Sequence, residues 1–137
     1  MSAYLAAYAA AAVVFLAADT VWLTLAGPSL YRPIIGPLLA DKLNGPAAVA
    51  FYVIYVAGIV FLAVQPGLKS GQWRTAAVHG LVLGLVAYAT YDLTNQATLK
   101  LWATKLTLVD MAWGGGLTAI AATAGFLAAN KLGGLRA

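Results

Sequence analysis

Four apolar runs divide the chain, at residues 3–26, 47–65, 73–95 and 107–130. Each is close to the roughly 20 residues a helix needs to cross the hydrocarbon core of a bilayer. None alternates apolar and polar positions with the period of two that a transmembrane β-strand requires. The pattern predicts an all-α integral membrane protein, a four-helix bundle forming a single transmembrane domain over 1–137. Polar residues interrupt the runs sparingly. Asp19 lies in the first, His79 and Asp92 in the third with Arg74 at its edge, and Asp110 near the start of the fourth. Residues 4–18 have the apolar core of a secretion signal. No Lys or Arg precedes them, however, and Leu16-Ala17-Ala18 makes a poor cleavage site, so the segment is expected to be the first membrane helix.

The connections differ in kind. Segment 27–46 carries Pro28, Pro33, Pro37 and Pro46 among leucines and isoleucines, with Arg32, Asp41 and Lys42 between them. It predicts a broken amphipathic segment lying in the membrane interface between helices 1 and 2. Residues 66–72 read as a tight polar turn, and 96–106 carry Lys100, Trp102 and Lys105. The basic tail, 131–137, is expected to fray. Gly80 and Gly84 form a GxxxG pair in the third run, and Ala121 and Gly125 a small-xxx-small pair in the fourth. Such positions let helix backbones approach closely in lipid.

Composition agrees with the pattern. The chain has 137 residues, 63% hydrophobic and 9% charged; soluble domains carry about 25% charged residues. A chain this short could not hide so much apolar surface in a water-soluble core. The net charge of +4 is spread as single basic residues between apolar runs. That spread argues against nucleic acid as a partner and fits loop charges that orient helices. The orientation itself stays undecided. Lys69, Arg74, Lys131 and Arg136 fall on the side of the termini, against Arg32, Lys42, Lys100 and Lys105 on the other. Cysteine is absent, which removes disulfide and thiol-metal chemistry.

The aspartates carry the candidate chemistry. An ionisable group inside a membrane helix is expensive and faces the protein interior or a wet cavity. With spans of these lengths, Asp19, Asp92 and Asp110 all fall in the half of the bilayer away from the termini. Helical spacing puts Tyr8, Phe15, Asp19 and Trp22 on one face, Gly84, Tyr88, Asp92 and Asn95 on another, and Asp110, Trp113 and Gly114 on a third. The expected site is a polar, carboxylate-lined pocket built from Asp19, Asp92 and Asp110, with Asn95, Thr94, Tyr91, Trp22 and Trp113. Plainer roles stand beside it. Thr107-Leu-Val-Asp110 has the form of a capping box. Asp92 could pair with a loop cation, and Lys100, Lys105 and Arg32 are the candidate charge partners. His79, far from the aspartates, reads as a packing residue. Three aspartates could hold a hard cation, but their spacing carries no metal signature, so no metal is assigned. No cofactor is indicated, nor any catalytic Ser-His-Asp, phosphate loop or paired Cys.

Four pieces have a distinctive wording: Asp19-Thr-Val-Trp-Leu23, Phe51-Tyr-Val-Ile-Tyr-Val-Ala-Gly58, Tyr88-Ala-Thr-Tyr-Asp-Leu-Thr-Asn95 and Thr107-Leu-Val-Asp-Met-Ala-Trp-Gly114. In this order the chain resembles, over nearly its whole length, the bacterial membrane-protein family known as domain of unknown function 2177. The resemblance implies a multi-pass protein of the bacterial inner (cytoplasmic) membrane and implies no activity. Three functions are therefore compared. The first is binding of a small polar or cationic ligand, a lipid head group or a proton in the pocket. The second is an accessory subunit or assembly factor, with a membrane-protein partner or a second copy in the bilayer. The third is a lipid-modifying enzyme using Asp92 and Asp110 as acid and base; the missing catalytic signature weighs against it.

Overall fold

The computed structural model describes residues 2–134. Among them four helices are long and apolar enough to cross a membrane: α1 (Ser2–Leu38), α2 (Gly45–Ser70), α3 (Trp73–Thr98) and α4 (Thr104–Gly134). No strand occurs among the described residues. The chain is thus the expected all-α four-helix bundle. The fraying expected of the tail falls partly outside the described residues, and Lys131 is still helical.

The first span does not stop at Ala26. The chain stays helical through a π-turn at Gly27–Tyr31, a short α-turn at Arg32–Ile35 and a 3-10 turn at Gly36–Leu38. Pro28 has no N–H to give, which normally kinks or ends a helix. Here the ladder widens instead, and the Arg32 N–H reaches the Gly27 carbonyl. The Ser29 hydroxyl also donates to the Leu25 carbonyl at 2.7 Å. Such local repairs let proline persist in membrane helices. Leu30 and Ile35 are buried against Leu106 of α4, with Trp102 and Val109 alongside. This extension therefore packs on the start of α4, and only residues 39–44 before α2 lack helix.

α2 begins where Asn44 caps it, accepting from the Ala47 N–H at 3.2 Å. Pro46 sits in the first turn, where its missing N–H costs nothing. The helix continues past Pro66 to Ser70. It closes at Gly71, whose φ of 68° is left-handed. The Gln72 N–H bonds to the Gly67 carbonyl at 3.1 Å and the Gly71 N–H to the Leu68 carbonyl at 3.3 Å. This is a Schellman closure, so the polar turn is shorter than residues 66–72.

His79 has a structural use at this end. Pro66 removes the α-helical donor to the Leu62 carbonyl. The His79 imidazole, on α3, lies 3.2 Å from that carbonyl through Nδ1 and donates to it. His79→Ala is expected to lower stability by about 1 kcal/mol. In a Pro66→Ala background, where residue 66 regains its N–H, the same change should cost much less. A thermal double-mutant cycle in detergent checks the pair.

α4 is the central helix, packed along α3 on one side and α1 on the other. Small residues permit both crossings. A Cβ added at Gly80 would fall 2.8 Å from the Thr118 carbonyl oxygen, and one at Gly84 would fall 2.7 Å from the Thr118 hydroxyl. The Gly80/Gly84 pair is thus the α3 face against α4. Gly125 faces α1 and α2 in the same way, with a Cβ there 3.0 Å from the Ala7 carbonyl oxygen and from Val64. Ala7, Ala11, Phe15 and Asp19 recur every fourth residue along the buried stripe of α1, and Ala76, Gly80, Gly84 and Asp92 follow the same spacing along that of α3. The apolar stripes therefore lead directly to the two aspartates.

Candidate functional site

Helix geometry explains why two carboxylates meet. Asp92 lies six residues before Thr98, the end of α3 (98 − 92), and Asp110 six residues after Thr104, the start of α4 (110 − 104). Each is therefore about 9 Å in from the shared loop. The close α3–α4 crossing sets the two carboxyls near each other. Asp92 is fully buried, and neither of its oxygens has a donor among the described residues. A carboxylate offers only acceptors. Two bare carboxylates side by side repel, so a pair so placed needs a proton, a cation or another donor between them.

Asp110 is buried too, and its Oδ1 accepts a hydrogen bond from the Tyr31 hydroxyl. Tyr31 in turn accepts from the Trp22 indole N–H at 3.0 Å. Trp22 stacks on Trp113, with centroids 4.6 Å apart and planes 9° from parallel. Trp113 donates to Asp19 Oδ1 at 3.4 Å, and the Tyr52 hydroxyl donates to Asp19 Oδ2 at 2.6 Å. The three aspartates thus belong to one buried polar assembly. Asp19, near the middle of the long α1, is reached from α2 and α4.

The capping role for Asp110 is corrected. α4 starts at Thr104, three residues before Thr107, and its first turn closes on the Ala103 carbonyl. Thr107 instead donates to Gln96 Oε1 at 2.6 Å and accepts from the Trp102 indole at 2.9 Å, which fixes the α3–α4 loop.

A cavity of about 800 Å³ opens beside this assembly. Asp19 and Asp110 are on its wall, with Tyr31, Tyr55, Tyr88 and Tyr91. Phe51 and several leucines line it too, and so does Arg32. The Tyr88 ring lies over Gly114, where a Cβ would overlap it, so the glycine fixes the ring at the cavity. Tyr55 reaches the Thr118 hydroxyl at 2.9 Å. Thr118 spends its own proton on the Gly114 carbonyl at 2.7 Å, so Tyr55 is the donor.

Some expected site residues stand elsewhere. Asp92 does not line the cavity; it sits behind Asp110, because its stripe faces α4. Trp22 and Trp113 act one layer back, orienting Tyr31 and Asp19. Thr94 is exposed and bonds to the carbonyls of its own helix, at Thr90 and Tyr91. Asn95 is half-buried and off the cavity wall. Lys100 and Lys105 are exposed, and among the described residues no basic group is among those acting on Asp92 or Asp110. Asp19 and Asp110 are therefore held by phenols and an indole, while Asp92 has no side-chain donor among the described residues.

Sequence reasoning missed Tyr31, Tyr52, Tyr55 and Tyr88 as site residues. The signal for Tyr52 and Tyr55 was their i, i+3 spacing in an otherwise apolar span. For Tyr88 it was a position one turn before Asp92. Tyr31 gave none, since Pro28 placed it outside the first span.

The need for a donor between the pair can be tested by substitution. An amide at position 92 can donate to Asp110 as a protonated carboxyl does. Asp92→Asn is expected to keep stability within about 1 kcal/mol of the parent. Asp92→Ala should lose about 2–3 kcal/mol, through the cavity it leaves and the partner it strands. Thermal unfolding of both variants in detergent makes the comparison.

Fold and site together define a four-span membrane protein with a carboxylate cavity between its helices. The chain belongs to the family described as predicted membrane protein (DUF2177), whose model matches residues 4–127. No curated protein and no solved structure matches it.

Proposed function

We propose that the protein binds a small organic cation, an ammonium group above all, in the cavity between its helices. One observation carries the reading: two buried carboxylates, Asp19 and Asp110, share a cavity wall with four tyrosines. A bare carboxylate pays heavily for burial without a cation or proton. Aromatic faces attract organic cations, and carboxylates accept ammonium N–H bonds. Each of the two carboxylates has acceptor capacity left for a second donor beside its tyrosine. A free amine and an amine-bearing lipid head group present the same chemistry to this wall.

The same reading assigns the chain, as a multi-pass protein, to a bacterial cytoplasmic membrane. Its four apolar helices support the multi-pass part. The test is calorimetric titration of the detergent-solubilised protein with methylammonium chloride, using sodium chloride as the control. Saturable binding of one methylammonium per chain is expected. Heats no different from those of sodium chloride would sink the reading.

A further inference from the structure

We infer that the ligand of this cavity is an amphiphilic zwitterion, an amine joined to a phosphate and carried on a lipid, with its ammonium at Asp19 and Asp110 and its phosphate on Arg32. The inference rests on the proposed cation site and names the class of molecule that fills it. Three kinds of wall meet in one cavity. Asp19 and Asp110 bring negative charge, Arg32 brings positive charge, and Leu39, Leu43 and Phe51 are part of an apolar lining. A bare ammonium ion uses only the first of these and is repelled by the second.

The order of the groups follows from α1. Asp19, Leu23, Gly27, Tyr31 and Ile35 recur every fourth residue, and all line the cavity. This face runs from one carboxylate to Tyr31, which is bonded to Asp110, with Arg32 next in the chain. The apolar helix that includes α1 has 37 residues, about 55 Å at 1.5 Å per residue. The hydrocarbon core is only about 30 Å thick, so the last turns of α1, with Arg32, reach the interface. Lipid phosphates stand at that level, and a guanidinium takes a phosphate through two parallel N–H bonds. Arg32 is exposed and pairs with no carboxylate among the described residues, so its donors are open to such a group.

The charges are met separately. Phosphate and Arg32 neutralise one another at the interface. The ammonium meets Asp110, whose one side-chain donor outside the carboxyl pair is Tyr31, while Asp19 keeps Tyr52 and Trp113. The tail has its own wall. Leu39 and Leu43 are exposed and belong to the stretch between α1 and α2 that lacks helix, and exposed Phe51 faces the same cavity from α2. Hydrocarbon chains leaving past them toward the bilayer cover this apolar surface, which a water-soluble ligand leaves unused.

Four probes are titrated calorimetrically into the detergent-solubilised protein. Methylammonium chloride carries the ammonium alone, glycerophosphoethanolamine adds the phosphate, and dihexanoyl-phosphatidylethanolamine adds short chains. Dihexanoyl-phosphatidylglycerol, with chains and phosphate but no ammonium, controls for partition into detergent. Glycerophosphoethanolamine is expected to bind about tenfold tighter than methylammonium, and the dihexanoyl lipid about tenfold tighter again. The phosphatidylglycerol should bind far more weakly than either. In Arg32→Gln, methylammonium and glycerophosphoethanolamine should bind alike, and Arg32→Lys should restore part of the difference. Equal affinities in the parent protein would overturn the zwitterion and leave the cation site standing. So would a difference that survives in Arg32→Gln, which would put the phosphate elsewhere. A gain from the phosphate with none from the chains would overturn the lipid and leave a free aminoalkyl phosphate. Phosphatidylglycerol binding as tight as that of the ethanolamine lipid, or no binding by any probe, would remove the cation site and the zwitterion together. If Arg32→Gln fails to fold, the probe series on the parent protein decides alone.

Discussion

Asp19→Asn and Asp110→Asn are each expected to weaken methylammonium binding by about 100-fold or more. The size follows from burial. Breaking a buried ion pair by removing one partner costs about 3–5 kcal/mol, and every 1.4 kcal/mol is about tenfold in affinity. The two substitutions should differ in their side effects. An amide at position 19 can still accept from Tyr52 or Trp113, so that variant should fold normally. An amide at position 110 keeps an acceptor for Tyr31 and gains a donor toward Asp92, so stability should also hold there while binding is lost. Calorimetric titration of each variant, paired with a thermal melt, separates lost binding from lost fold. A Tyr52→Phe control should retain most of the affinity, because it removes a bond to Asp19 and no charge.

The second large effect is structural. Gly84→Ala should destabilise the protein by about 3 kcal/mol, at the upper end of what overpacking costs. The added methyl would meet the Gly114 carbonyl and a Thr118 hydroxyl 2.7 Å away, on a helix that cannot retreat. α4 is clamped between α1 and α3, so relief must come from opening the α3–α4 crossing. That crossing also sets the Asp92–Asp110 contact. The variant should therefore lose both stability and cation affinity. Gly116→Ala on α4 meets nothing within 4 Å and should be nearly silent. Melting temperatures and methylammonium titrations of the two variants test the contrast.

Much of this was legible in the chain itself. Four runs of the right length marked the helices, and the GxxxG pair marked the face of α3 that meets α4. The aspartates stood out because the membrane penalises them wherever they are unsupported. What could not be read was which of them faces open space. Asp92 and Asp110 sit on equivalent positions of neighbouring helices, and only the rotation of α3 toward α4 puts one behind the other. The extension of α1 was hidden by its prolines, which usually announce a break. Here a π-turn and the Ser29 hydroxyl absorb the lost bond, and Tyr31 is carried onto Asp110 as a result. The expected lysine partners stay away from the aspartates for a related reason. Lys100 and Lys105 are near Asp92 and Asp110 in sequence, but the loop that carries them is fixed by Gln96, Trp102 and Thr107 and leaves both exposed.

The most direct test is a distance. Solid-state NMR on protein carrying ¹³C-labelled aspartate carboxyls, reconstituted in lipid with ¹⁵N-methylammonium, reads which carboxyls touch the cation. The chain has only four acidic residues, all aspartates, so each signal can be assigned by single substitution. The account predicts dipolar contact to Asp19 and Asp110 and none to exposed Asp41. Contact to none of the buried carboxyls, or to Asp41 alone, would contradict it.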